Sequence, residues 1–363
     1  NLLSYLNVKN GNNTNFTHLR ANGNSNLYCV TVDDSNYSDT AWLNPLNTNF
    51  NFDTIVSFSN NCNTSASNKT YVPDDNFEAY LEANGMGDGI ANNDSVTTAN
   101  ISAVTSLFIN SQNIADITGI EDFIGLLDFR CQGNQITSID LSQNPLIFRL
   151  FCHDNDIDSI NVSQNFLMKS LDVQNNEIQN LDVTMMDSLE TLGCQGNQLS
   201  NINISQNVLL NSLNCHSNQL TNLDISQNNL LSFLACHNNQ ITNLDVTNLI
   251  SLETLACDRN QLSNLDLSQN TLLNWLKCHS NQLTSLDVSQ NPLITYLRCH
   301  NNQITSLDIS MLDSLDWLLC ESNSITTLDV SQNSILRSLN CGSNHLTQLD
   351  FSNNSALEVV RCN

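Results

Sequence analysis

The sequence predicts a solenoid of short stacked turns in which each turn adds one strand to a long parallel sheet. Cys recurs every 21 residues from Cys131 to Cys362, apart from one step of 42. A Leu-x-Cys alternation in each turn indicates a strand with one buried face. Asn stands three residues after each such position, from Asn134 to Asn344. Because so short a unit cannot bury its own apolar side chains, the turns must stack in order to fold.

The recurring Cys and Asn are predicted to point inward and to be structural. Val173 fills the Cys position in the one step of 42 residues, which indicates that the column is a packing column. Neighbouring parallel strands orient these side chains unfavourably for disulfides. An inward amide can bond the backbone where the chain leaves the strand, where buried N–H and C=O groups need partners.

The turn is similar to the leucine-rich-repeat signature L-x-x-L-x-L-x-x-N-x-L, with Cys in the third apolar position, over residues 70–363. The segment NIADITGIEDF (113–123) resembles internalins. The later turns resemble Cys- and Asn-containing repeats of secreted Bacteroidetes proteins. The resemblance implies a right-handed α/β-type horseshoe with a parallel concave sheet, little α-helix and a 3₁₀ or irregular convex side. It also implies a bacterial protein that is secreted or held at the cell surface.

Four parts are expected along the chain: the last repeat and C-terminal cap of a preceding array (1–63), a linker (64–70), an N-terminal cap (71–100) and an array of about 12–13 turns without a C-terminal cap (101–363). The spacing of Phe77, Tyr80 and Leu81 predicts one short helix in the N-terminal cap. Cys29 and Cys62 fall outside the repeat period, and a secreted context predicts a disulfide between them.

Charge and motif content narrow the function classes. The 363 residues carry 36 acidic and 11 basic side chains, a net charge of −25, which disfavours nucleic acid and anionic lipid as partners. No apolar run is long enough for membrane insertion. Phosphate-binding loops, nucleophile elbows and zinc-protease motifs are all absent from the sequence. We therefore predict a protein that is not an enzyme and has no cofactor.

The candidate binding surface consists of strand positions that face the solvent: three residues before each Cys, one before it and one after it. We name these the first, second and third open positions. Aromatic, His and basic residues gather there in neighbouring turns, and the predicted ligand-binding set is Phe233, Trp275, Tyr296, Trp317, His216, His237, His279, His300, Lys277 and Arg298. The alternative is that they pack on one another as cross-strand ladders. The His column offers pairs without a third ligand, so no metal site is predicted there.

An acidic column lies nine residues after the Cys positions, for example at Asp224 and Asp245, and is predicted on the convex side. Each Asp precedes Ser or Thr by two residues, which favours an Asx turn over cation binding. The segment GDGIANND (87–94) is rich in oxygen ligands but departs from the EF-hand spacing, so calcium is only a weak alternative there.

The favoured function is an extracellular binding or adhesion module that recognises a protein or a polysaccharide at the cell surface through its concave face. One alternative is a structural spacer or fibre element that associates with itself end to end. Another is an accessory module of a secreted enzyme. The fold alone does not choose among them, because repeat scaffolds carry many functions.

Overall fold

The computed structural model describes residues 6–8, 18–21, 29–33, 50–51, 57–59 and 69–363. Contacts divide the chain into one unit of residues 1–70 with 97–99 and another of residues 71–96 with 100–363. The described strands of the first unit are β1 (Leu6–Asn7), β2 (Leu19–Arg20), β3 (Cys29–Thr31), β4 (Phe50–Asn51) and β5 (Ser57–Ser59). They form parallel sheets of order β1-β3-β5 and β2-β4. The predicted Cys29–Cys62 disulfide lies outside the described residues and side chains.

The expected short helix is present as α1 (Asp75–Ala83). Asp74 begins it, because its Oδ1 accepts the backbone N–H groups of Asn76 and Phe77 at 3.0 and 2.9 Å. The helix buries Phe77 and Leu81 completely. The strands β6 (Lys69–Tyr71) and β7 (Ser95–Thr97) pair with each other, and two short elements follow: α2 (Thr98–Ile101) and a 3₁₀ turn at Ile120–Asp122.

A 13-stranded parallel sheet organises the second unit, in chain order from β8 to β22 with β10 and β12 left out. Its strands are β8 (Ser106–Phe108), β9 (Asp128–Arg130), β11 (Arg149–Phe151), β13 (Ser170–Asp172), β14 (Thr191–Gly193), β15 (Ser212–Asn214), β16 (Phe233–Ala235), β17 (Thr254–Ala256), β18 (Trp275–Lys277), β19 (Tyr296–Arg298), β20 (Trp317–Leu319), β21 (Ser338–Asn340) and β22 (Val359–Arg361). The strands β10 (Ser138–Asp140) and β12 (Ser159–Asn161) form a separate pair. The predicted solenoid with a parallel sheet and few helices is confirmed.

Strict register aligns equivalent residues of successive turns. Leu276, in the middle of β18, lies opposite Leu255 on one side and Leu297 on the other, and all three are fully buried. Adjacent strands lie about 4.8 Å apart, so each buried column is continuous. One face of the sheet therefore covers the apolar core and the other face is open.

The Cys column lies in the core, as predicted. Ten thiols from Cys131 to Cys341 are buried and unbonded, and Val173 is fully buried in the same column. Burial raises the pKa of Cys194 to about 12. These thiols act as small apolar side chains, whereas Cys362 is exposed.

The inward Asn ladder is also confirmed. The Oδ1 atom of Asn197 accepts the N–H of Ile178 at 3.0 Å, and its Nδ2 donates to the carbonyls of Val173 and Cys194 at 2.9 and 3.1 Å. One amide thus connects its own turn with the preceding one. Asn155, Asn239 and Asn323 repeat this pattern.

A second Asn ladder, thirteen residues after the Cys positions, was not predicted. Asn228 is fully buried, and its Nδ2 donates to the carbonyls of Ile204 and Asn207 at 3.0 and 2.9 Å. Its Oδ1 has no hydrogen-bond partner in the described part of the chain. Three turns carry an apolar residue in this position instead: Met186, Leu249 and Leu312.

Candidate ligand-binding surface

The alternation of each short strand places the predicted binding residues on the open face of the sheet. In β18, Trp275 and Lys277 are half-buried, whereas Leu276 between them is fully buried. The strands β19 and β20 repeat this arrangement, with Tyr296, Arg298 and Trp317 on the open side. The first and second open positions therefore project from one surface.

Three of the predicted aromatic side chains form a continuous stack across β18, β19 and β20. The ring centroids of Trp275 and Tyr296 are 5.1 Å apart with an interplanar angle of 24°, and those of Tyr296 and Trp317 are 6.2 Å apart at 33°. Trp317 remains 42% exposed. Phe233 does not join the stack, because Thr254 occupies the intervening strand. Since the rings face one another along the sheet, they direct mainly their edges to the solvent.

Two cations pack against this stack. Lys277 Nζ lies 4.1 Å from the Trp275 ring centroid, and Arg298 Cζ lies 5.2 Å from that of Tyr296. Lys277 and Arg298 are register partners on adjacent strands. Burial, and then the charge of Arg298, lowers the pKa of Lys277. We name these five residues, Trp275, Tyr296, Trp317, Lys277 and Arg298, the aromatic–cation patch.

The third open position carries the His column beside this patch. His216 stacks on His237, and His279 stacks on His300, each pair with ring centroids 4.1 Å apart. Burial is the largest cause of the lowered pKa of His216, about 4, and it also lowers the pKa of His279. Both imidazoles are therefore neutral at neutral pH.

Asp258 separates the two His pairs, and sequence reasoning missed it. Its Oδ2 lies 3.1 Å from His279 Nε2, and both side chains are more than 90% buried. Burial raises the pKa of the Asp258 carboxyl. The signal was available, because Asp258 occupies the same open position as the histidines in the intervening turn.

No three potential metal ligands of the His column converge within 4.8 Å in the described residues. The one such group there is Asp75, Glu78 and Asp94, near the segment 87–94. The Glu78 carboxylate already accepts the N–H groups of Asn93 and Asp94 at 3.0 and 3.1 Å. This carboxylate therefore holds the turn together, and calcium binding in this segment stays a hypothesis.

The acidic column opposite the sheet forms the predicted Asx turns. Asp224 Oδ1 accepts the N–H of Ser226 at 3.0 Å, and Asp245 Oδ1 accepts the N–H of Thr247 at 3.0 Å. The bond from the Ser226 backbone is the largest cause of the lowered pKa of Asp224. The column therefore has a structural role that requires no cation.

A second polar-aromatic cluster, at the start of the same face, was also missed. Asp128 accepts Arg130 through Nε and Nη2 at 3.0 and 2.9 Å, and Arg149 through Nη1 at 2.8 Å. The Arg130 guanidinium also lies 4.7 Å from the Phe108 ring centroid and 5.2 Å from that of Phe151. These residues occupy the first and second open positions of turns that precede the aromatic–cation patch along the chain.

Comparison with known proteins places this geometry in a class. No family model matches the chain. The solved functional domain of InlJ from Listeria monocytogenes, which includes a cysteine ladder, is 33% identical with a TM-score of 0.74, covering 81% of this chain and 71% of that one. An internalin, InlF, from Listeria monocytogenes is 21% identical with a TM-score of 0.66, covering 80% of this chain and 95% of that one, and shows the fold alone.

The class is therefore the leucine-rich-repeat proteins. Among curated proteins, internalin J of Listeria monocytogenes is 38% identical over 74 residues, which is 20% of this chain and only 8% of that protein's length. Together with the structural match over most of the solenoid, this similarity identifies the family. The chain belongs to the internalin-like leucine-rich-repeat proteins.

Proposed function

We propose that the chain binds a partner protein through the open sheet face centred on the aromatic–cation patch, as a secreted or cell-surface module. The observation that carries this proposal is the ladder of Trp275, Tyr296 and Trp317 on the solvent side of the sheet. Exposed aromatic surface is costly to keep in water, and Trp, Tyr and Arg are the residues that most often dominate binding energy at interfaces. The internalin-like architecture of the chain is consistent with a role in protein binding.

The packing of the rings favours a protein over a polysaccharide. A sugar ring stacks on an open aromatic face, but the faces of Trp275 and Tyr296 are turned toward each other and toward Lys277 and Arg298. The ring edges and the shallow surface between them suit apolar and aromatic side chains of a protein. The same stacking also supports the strands, so the ladder has a packing role beside the proposed binding role.

An apolar border widens the proposed surface. Leu272 and Leu293, which precede β18 and β19, are 45% and 46% exposed. They line a shallow depression together with Glu253, Thr254 and Asn274. A partner that covers the patch and this border would bury apolar area of the kind found at the centre of protein interfaces.

The proposal is tested with the double variant Trp275→Ala with Trp317→Ala on arrays of extracellular proteins and of glycans. The expected result is a protein ligand of the unaltered chain whose affinity falls at least about thirtyfold in the double variant. Met185→Ala is the matched control, because Met185 is 58% exposed and its turn is well separated from the patch along the array.

Unchanged binding of every ligand by the double variant would refute the assignment of this surface. Binding confined to glycans would favour a polysaccharide partner. End-to-end filaments in electron micrographs, without a ligand, would favour a structural spacer instead.

A further inference from the structure

Basic side chains are scarce in this chain, and four of those described in the solenoid have a carboxylate partner. Lys169 pairs with Glu190, and Arg337 pairs with Asp316. Arg130 and Arg149, on neighbouring turns of the open face, share Asp128. At this meeting of two cations on the open face, one carboxylate of the chain bridges them.

Lys277 and Arg298 also meet on neighbouring turns but lack that bridge. They are opposite each other in register, and neither forms an ion pair within residues 69–363. The Nε atom of Arg298 is buried and has no hydrogen-bond partner there. Leaving a buried charged donor without an acceptor costs free energy, so Arg298 lacks a favourable hydrogen bond in the free protein.

The neighbouring acidic groups of the face contact histidines and form no ion pair with Lys277 or Arg298. Asp258 contacts His279 at 3.1 Å, and Glu321 lies 3.9 Å from His300. Burial, and then the charges of Lys277 and Arg259, lower the pKa of His237, so Arg259 is a further cation of this region. Three cations, Arg259, Lys277 and Arg298, thus lie in one part of a chain whose net charge is −25.

The Asp128 cluster and the aromatic–cation patch differ in the residue at the first open position. At the start of the array, the carboxylate of Asp128 occupies the first open position beside the Arg130 in the second. In β18 and β19 the first open position carries Trp275 and Tyr296, whose rings interact with the cations but accept no strong hydrogen bond. The first open position of these two strands therefore lacks a carboxylate like the one that bridges Arg130 and Arg149.

We propose that Lys277 and Arg298 together bind a carboxylate side chain from an acidic segment of the partner protein. This inference rests on the proposed function, and it assigns the chemistry of the partner. Adjacent strands are about 4.8 Å apart, so one Asp or Glu side chain can accept bonds from both cations while its neighbours contact the aromatic edges. The acidic convex column would repel the same segment, which restricts it to this face.

The test uses a phage library of random 12-residue peptides selected against the unaltered chain, followed by affinity measurements with the most enriched peptide. Enriched peptides are expected to contain Asp or Glu beside apolar residues. Lys277→Gln with Arg298→Gln should weaken binding of that peptide at least about tenfold, and replacing its acidic residue by the amide should do the same. Arg337→Gln is the control, because Arg337 is an exposed cation that already has a carboxylate partner.

Each outcome of this experiment either supports or contradicts the carboxylate site. Enriched peptides without Asp or Glu, or acidic peptides that bind the double Gln variant as well as the unaltered chain, would overturn the carboxylate site and leave the proposed function standing. Equal enrichment on the unaltered chain and on the Trp275→Ala, Trp317→Ala variant, including none on either, would overturn both. Arg298→Lys keeps the charge and should lose less affinity than Arg298→Gln, which separates a charge effect from a folding defect.

Discussion

At the scale of single residues, burial on the open face sets the charge state of the imidazoles. His216 is half-buried and stacked on His237, and its pKa is lowered to about 4 from 6.5, with burial the largest cause. Asp258 opposes this shift without reversing it. A neutral column of this kind lets neighbouring turns stack without mutual repulsion.

The depressed pKa predicts a pH dependence of stability. The folded chain binds fewer protons at His216 than the unfolded chain between pH 6.5 and about 4. The part of the free energy of unfolding that depends on a neutral His216 is therefore fully present above pH 6.5. It is lost as the pH falls toward 4. His216→Gln should lose less stability than the unaltered chain over this range, as measured by urea unfolding at several pH values.

The control for this prediction is His345→Gln at an exposed position of the same solenoid. Its profile provides the reference for the removal of an exposed imidazole. Identical profiles for the unaltered chain and His216→Gln would show that the half-buried imidazole makes no such contribution.

At the scale of the repeated element, the two Asn ladders form different sets of hydrogen bonds. Asn197 satisfies one backbone N–H and two backbone carbonyls, and both ends of its amide are used. Asn228 satisfies two carbonyls but keeps an unpaired oxygen. The first ladder is uninterrupted from Asn134 to Asn344, whereas the second gives way to apolar residues in three turns.

We predict unequal costs for the same substitution in the two ladders. Asn197→Leu should lower the free energy of unfolding by about 3 kcal/mol, because buried donor and acceptor groups lose their partners. Asn228→Leu should cost about 1 kcal/mol or less, because Leu249 already occupies the equivalent position and the unpaired oxygen is removed. Urea unfolding of the two variants provides the measurement, and equal losses would contradict these roles.

At the scale of the whole solenoid, each turn contacts mainly its neighbours, so turns contribute to stability almost as interchangeable units. Register is a strict requirement, since a shift by one residue moves every core side chain to the open face. The strands β14 and β15 pair in the same register as all the others, with Leu192 opposite Leu213.

This predicts that one whole turn can be removed. Deletion of residues 195–215, which is one period of 21, should leave a folded chain whose urea m-value falls by roughly one twelfth, because less surface is buried. Binding at the aromatic–cation patch should persist. Deletion of residues 195–214 is the control, because it breaks the period and should disrupt the fold. Equal circular dichroism and unfolding curves for both deletions would contradict a solenoid held by register.

The repeat pattern by itself determined the solenoid, the parallel sheet, the buried Leu and Cys columns and the first Asn ladder. It could do so because each inward position recurs in about a dozen turns. A residue type that recurs at such a position must be one that the core can accommodate in every turn. It also placed Trp275, Tyr296 and Trp317 on one face, since alternation along a strand fixes the side on which a residue projects.

Only the tertiary structure decided how those side chains meet. The stacking of the rings, the Asp258–His279 contact and the lack of a bridge between Lys277 and Arg298 depend on side-chain rotamers and on distances across strands. Spacing along the chain does not specify these, because residues 21 positions apart become neighbours only when the turns stack. The columns of the repeat show which residues share a face of the sheet. Packing between turns decides which of those side chains have a hydrogen-bond or ion-pair partner within the chain.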